Sequence, residues 1–317
     1  MKGSAMGLGS AEAVAAQGLL SPYVFGAFSM VALVALLAVT ALLKVEPSRV
    51  VATVPAKVLV PEGPRADIKE RTLRTDRWWL QPAMIVAALL AFIVYSTWRA
   101  FENAYYFAEP LISPFYSPCL ATSCVAGTSV WTPFGSWWVL SPALLILIFP
   151  LGFRMTCYYY RKSYYRSFWL SPPACAVSEP HKKYTGETRE PLILQNSHRY
   201  FFIAGLIFNV ILTYDVLLAL RNGEGEWGHL SVGTLVLAAN ATFLWLYSMS
   251  CHTCRHIMGG RIKNFSAHPV RYRFWTYVSK LNAHHPKFAW ISLFGVALAD
   301  LYVREVAAGT ITNFYFF

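Results

Sequence analysis

Six apolar stretches, each near twenty residues long, decide what this chain can become: roughly 22–43, 79–101, 136–158, 200–220, 231–251 and 288–310. About 20 residues rising ~1.5 Å each cross a hydrocarbon core of ~30 Å. The runs are continuous and do not alternate, so they predict helices rather than barrel strands. Composition agrees: 14% of the residues are charged and 56% are hydrophobic, with a mean hydropathy of +0.41. A soluble domain carries about 25% charged residues, and one core cannot hide this excess of apolar surface. The expected fold is all-α, an integral membrane bundle of about six transmembrane helices. Five form the core bundle, and the N-terminal helix, with no ionisable residue in its run, lies peripherally. Residues 1–78 comprise that helix and a basic linker; residues 79–317 comprise the five-helix domain. The last run is the weakest, because it meets Arg304 and Glu305.

Charge sets the orientation. The segments 44–77, 159–199 and 255–287 carry eight, seven and seven Lys or Arg, whereas 102–136 carries none and 221–230 only Arg221. By the positive-inside rule the three basic segments are cytoplasmic and both termini lie outside a cell (inner) membrane. The net charge of +11 is therefore a matter of topology and of lipid phosphate at the surface, and nucleic acid is not an expected partner. The polar, Gly- and Ala-rich start lacks the basic region of a cleavable signal peptide.

Cysteine and histidine cluster at one depth. Cys119 and Cys124, in "SPCLATSC", fall in an outer loop where disulfides persist, and their spacing allows a bridge. Cys157, Cys175, Cys251 and Cys254 belong to the inner side, where thiols more often bind metal or react. His198 opens one apolar run, and His252 and His256 lie in "SCHTCRHIMGGR" at the close of another. On a continuous helix Cys251 and Cys254 share one face, and His252 and His256 an adjoining one. The candidate ligand set is thus Cys157, His198, Cys251, His252, Cys254 and His256, drawn from three helix ends. Its residue types admit structural zinc, a [2Fe–2S] cluster with Cys and His ligands, or a haem b held by His198 with His252 or His256. Arg154, Arg199 and Arg255 adjoin the candidates and offset the charge of a cluster.

The inner segments 159–199 and 255–287 are dense in Tyr, Trp and Arg, as docking surfaces are. Cys175 and His181 lie in the first and count as second-tier ligands if that loop folds back. Tyr160, Arg161, Trp169, Tyr200 and Trp275 are the candidates for binding a quinone head group, which needs donors between flat apolar walls.

Five stretches, "MTCYYYRKSYYRSFW", "SPPACAVSEPHKKYTGETR", "LQNSHRYFF", "SCHTCRHIMGGR" and "HPVRYRFWTYVSKLN", resemble the membrane-anchor subunit of the actinobacterial-type succinate dehydrogenases. The resemblance covers about 150–300 and extends more loosely over the five later helices. It implies a non-flavin subunit of succinate:quinone oxidoreductase, the respiratory complex II. Flavoprotein and iron–sulfur subunits would dock on the cytoplasmic side, and electrons would pass to menaquinone or ubiquinone. It also implies a Rieske-type [2Fe–2S] cluster within the anchor, in place of haem. It leaves open which two Cys and two His ligate, and whether the assembly forms a higher oligomer. A haem b anchor is the alternative. A membrane thiol:quinone oxidoreductase working through Cys119/Cys124 and Cys251/Cys254 would need two pairs on opposite faces to meet. A transporter would need ionisable residues at the midplane, and Arg99, Asp215 and Asp300 sit toward helix ends.

Overall fold

The computed structural model describes residues 74–118, 141–180, 193–260 and 262–317. The run 22–43, its basic linker to residue 73, the Cys119/Cys124 pair and His181 lie outside the described residues. Among the described residues four helices are long and apolar enough to cross a membrane: α1 (Leu80–Glu102), then α5 (Ile193–Asn196) continuing into α6 (His198–Leu218), α7 (Val232–Met249) and α10 (His285–Ala307). A bent pair of helices is apolar enough to count as a fifth. Helices α2 (Pro142–Ile146) and α3 (Ile148–Met155) run into α4 (Tyr158–Ser167), which turns away by 80°. Two further helices, α8 (His252–Gly259) and α9 (Pro269–Asn282), pack on each other between α7 and α10.

Local chemistry sets the starts of these helices. The Ser231 hydroxyl accepts from the Thr234 N–H, and Thr234 returns the bond in a capping box at the head of α7, which satisfies amides with no intrahelical partner. Ser141 caps α2 in the same sense, and Pro142, Pro269 and Pro286 sit in the first turn of their helices, where a missing N–H costs nothing.

Lipid offers no hydrophobic drive between helices, so close approach and polar bonds must hold them. Helix α10 packs on α7, α7 on α6, and α6 on α3. A methyl group added at Gly152 of α3 would sit 2.2 Å from the Phe201 ring of α6, so glycine sets that spacing. Asn209 Nδ2 donates to Ser248 Oγ at 2.9 Å between α6 and α7, and Trp245 Nε1 donates to Thr213 Oγ1 at 3.0 Å. The outward faces of α1 and α6 expose Leu90, Ile93, Ile203, Ile207 and Val210, which suits contact with acyl chains.

One end of the bundle is closed by ion pairs. Arg99 and Asp300 are fully buried and joined through Nε at 2.7 Å and Nη2 at 3.1 Å. Glu102 bridges Arg99 to Arg304, which also pairs with Glu305 at 2.7 Å. Beneath them lies a short hairpin of β1 (Phe107–Ala108) and β2 (Leu111–Ile112). The C-terminal tail returns to this end, where Ser231 pairs with Tyr315. The Cys and His residues gather at the opposite end.

Candidate metal centre

Cys157 and Cys251 occupy equivalent breaks. Cys157 separates α3 from α4 with φ −67° and ψ 128°; Cys251 stands between α7 and α8 with φ −62° and ψ 143°. Each is an extended residue between two helices, so its side chain points off the helical stripe and into the bundle. The expectation of one unbroken helix through 251–256 therefore fails. The chain turns at Cys251, and the face geometry that paired Cys251 with Cys254 and His252 with His256 does not apply.

The surroundings of the two cysteines repeat. Residues 153–157 read "FRMTC" and residues 247–251 read "YSMSC": an aromatic, then Met, a hydroxyl residue and Cys. Each unit is followed by a histidine that opens the next spanning helix, His198 for α6 and His285 for α10. Phe153 stacks on His198 at 4.9 Å and 13°; Tyr247 stacks on His285 at 5.1 Å and 13°. The hydroxyl of each unit holds its own histidine, Thr156 Oγ1 to His198 Nδ1 at 2.9 Å and Ser250 Oγ to His285 Nδ1 at 2.8 Å. The cysteines cross over. Cys251 Sγ lies 3.0 Å from His198 Nε2, and Cys157 Sγ lies 3.4 Å from His285 Nε2. The contact pattern is twofold, with the four side chains at its middle.

The tautomers follow from the hydroxyls. Thr156 Oγ1 donates to the Gly152 carbonyl at 2.7 Å, and Ser250 Oγ donates to the Tyr247 carbonyl at 3.0 Å. With their protons committed, both oxygens accept from Nδ1–H. Each Nε2 is left as a lone pair facing a sulfur, and the thiol donates to it. Fixing the far ring nitrogen with an oxygen partner is how proteins orient imidazole ligands to metals. All four side chains are under 9% exposed, and burial of two imidazoles and two thiols among helices is costly unless it serves a site.

Two thiols and two imidazoles are the donor set of a closed tetrahedral zinc site or of a Rieske-type [2Fe–2S] cluster. The residues fit such a cluster in kind: two Cys and two His, related in pairs by the crossed contacts, would hold it. As the side chains stand they form two Cys–His contacts. Among the described residues no set of three or more His, Cys, Asp or Glu closes on a single point tightly enough to hold one metal ion.

Of the six residues expected as ligands, Cys157, His198 and Cys251 meet here. His252 and His256 are exposed and line a cavity of about 400 Å³ that opens beside the four. Cys254 is buried but lines a different, apolar groove with Phe202, Met249 and Ile257. Cys175 is exposed. His285 was missed by sequence reasoning; the repeated "FRMTC"/"YSMSC" signal, each followed by a helix-opening His, points to it.

Among the five quinone candidates, Tyr200 lines the cavity with Tyr158, Tyr159 and Arg199. Tyr160 is buried, donates to the Ala289 carbonyl at 2.6 Å and accepts from Arg154 at 2.7 Å. The Arg161 guanidinium covers Tyr165 at 5.1 Å. Trp169 meets Tyr164 of α4 edge-on and Tyr165 at a tilt. Trp275 packs on Phe265, Tyr272 and Arg255. The last four frame the inner face without lining the cavity.

Comparison with known proteins identifies the family. Residues 80–309 match the family described as actinobacterial succinate dehydrogenase subunit SdhC. The Sdh1 complex of Mycobacterium smegmatis in the apo form contains a chain that is 50% identical, with a TM-score of 0.71; the alignment covers 80% of this chain and 97% of that one. No curated protein sequence matches. The chain belongs to the SdhC family, the membrane-anchor subunits of actinobacterial succinate dehydrogenase.

Proposed function

We propose that this anchor relays electrons from an iron–sulfur subunit to a membrane quinone through a Rieske-type [2Fe–2S] cluster held by Cys157, Cys251, His198 and His285. The observation that carries the reading is the crossed Cys–His pattern, with both Nδ1 atoms committed to hydroxyls and both Nε2 lone pairs directed at sulfur. When bound, such a cluster supplies a one-electron relay at a potential above that of all-Cys clusters. The protein's part is orientation and exclusion of water. Thr156 and Ser250 lock the imidazoles, Phe153 and Tyr247 stack on them, and the surrounding core keeps the ligands dry. The adjoining cavity offers the quinone head group the edges of Tyr158, Tyr159 and Tyr200 and the charge of Arg199.

The same reading sets the topology. The basic, aromatic platform of α4, α8 and α9 faces the cytoplasm and receives the iron–sulfur subunit, with the flavoprotein subunit beyond it. Exposed Trp169, Phe274 and Tyr277 are the contact residues, and both termini lie outside. A haem b held by His198 with His252 or His256 is disfavoured because His198 Nε2 faces the Cys251 sulfur at 3.0 Å rather than an open slot. The thiol oxidoreductase reading is disfavoured because Cys251 and Cys254 open onto different cavities.

The test is iron and acid-labile sulfide analysis of the purified complex, with electron paramagnetic resonance under redox titration. A Rieske-like signal with a midpoint between about −150 and +300 mV is expected, and it is lost in His285→Ala. That variant still oxidises succinate with a soluble artificial acceptor but no longer reduces quinone. Sharp haem bands, or a centre unaffected by His285→Ala, would refute the assignment.

A further inference from the structure

The two repeats differ at two positions that matter chemically. Where the first has Phe153, the second has Tyr247, and the two rings make the same stack on their histidines. A phenyl ring does the stacking as well as a phenol, so the hydroxyl of Tyr247 is surplus to that task. It is also costly. Tyr247 is 1% exposed, and its hydroxyl has no hydrogen-bond partner of ordinary geometry, although a buried hydroxyl without one costs about 1–3 kcal/mol. The Tyr247 ring lies against His285, whose Nε2 is 3.4 Å from the Cys157 sulfur, and Tyr247 and Cys157 share one buried cluster.

A second departure from the twofold sits beside it. Where the second repeat has Ser248, the first has Arg154, whose guanidinium carbon lies 4.8 Å over the Tyr247 ring. Arg154 is held by the Tyr160 hydroxyl at 2.7 Å and Ser292 Oγ at 3.2 Å. A cation on the ring face draws electron density from the phenol and makes its O–H a stronger donor.

We propose that Tyr247 is a positioning and tuning residue for the relay, its phenol O–H donating to the metal-bound Cys157 thiolate under the charge of Arg154. This inference rests on the cluster reading above. A hydrogen bond to a ligand sulfur strengthens as the centre gains an electron and negative charge, so it stabilises the reduced form and raises the potential. The orphaned hydroxyl thereby acquires its acceptor, and the asymmetry of the repeat acquires a purpose.

The experiment is a redox titration followed by electron paramagnetic resonance on the purified holo-complex, native and Tyr247→Phe. The variant keeps the ring stack on His285 and reproduces the arrangement at Phe153. Its iron and sulfide content should match the native complex, while its midpoint falls by the equivalent of about tenfold in the oxidised-to-reduced ratio, ~59 mV for one electron. Site-specific 3-fluorotyrosine at position 247 keeps the fold and is a more acidic donor, so it shifts the midpoint upward. Midpoints equal to native in both proteins overturn the proposal while leaving the cluster reading intact. A native complex without iron and labile sulfide sinks the cluster reading and this inference with it.

Discussion

Thr156→Val tests the logic of the site at its most economical point. Valine has nearly the shape of threonine, so the packing against His198 and Gly152 is kept and only the hydroxyl is lost. The Gly152 carbonyl is not orphaned, because the Thr156 amide already donates to it at 3.0 Å. The loss falls on His198 Nδ1–H, which has the Thr156 oxygen at 2.9 Å and is 4% exposed. Leaving that donor buried without a partner costs about 1–3 kcal/mol. The ring escapes the cost by moving its proton to Nε2, and that tautomer cannot ligate. Either way the affinity for metal falls roughly 10–100-fold, the range for loss of an oxygen that orients a ligand. The assay is iron and labile sulfide retained per complex during graded chelation, read beside Thr242→Val. Thr242 makes the same bond to a carbonyl one turn back, at 2.8 Å, on an exposed stretch of α7, so it controls for generic helix effects. Equal retention of iron in native and Thr156→Val complexes would refute the tautomer argument.

Three further outcomes follow. Cys251→Ala abolishes the centre, whereas Cys254→Ala leaves iron content and spectrum unchanged, because Cys254 opens onto the apolar groove; loss of the centre in both would return Cys254 to the ligand set. Asp300→Asn removes one of the two carboxylates that face the Arg99 guanidinium, which is 0% exposed and keeps Glu102, and should destabilise the complex by about 1–3 kcal/mol, read as an earlier thermal transition in detergent; an unchanged transition would count against the ion-pair cap as a structural element. A cysteine placed at Glu224 should be labelled by an impermeant maleimide in intact cells, and one at Lys280 only after permeabilisation; both residues are exposed, and the reverse pattern would invert the topology.

The spanning helices were legible because lipid imposes a length and a composition that no alternative structure satisfies. The predicted runs 79–101, 200–220, 231–251 and 288–310 fall on the observed helices within a few residues. The breaks were not legible. Nothing in "TCY" or "SCH" is a helix breaker of the kind that proline or glycine provides, and each segment reads as a continuation of its apolar run. What turns the chain at Cys157 and Cys251 is tertiary: the hydroxyl before each cysteine binds a carbonyl and a histidine at once, and both histidines arrive from other helices. His198 entered the candidate set because it began a predicted span next to an aromatic run, while His285 sat in "AHHPKF" among basic residues and read as part of a cytoplasmic loop. Composition treats those histidines differently, but the fold treats them alike, because each opens a helix that packs against the repeat preceding it. Internal repetition is the one signal that carries this equivalence in sequence. The four positions alike in kind between "FRMTC" and "YSMSC" are too few to carry the inference alone. Added to the helix-opening histidine after each, they mark the two-by-two Cys–His group proposed as the ligand set, whose ring tautomers are fixed by the adjoining hydroxyls.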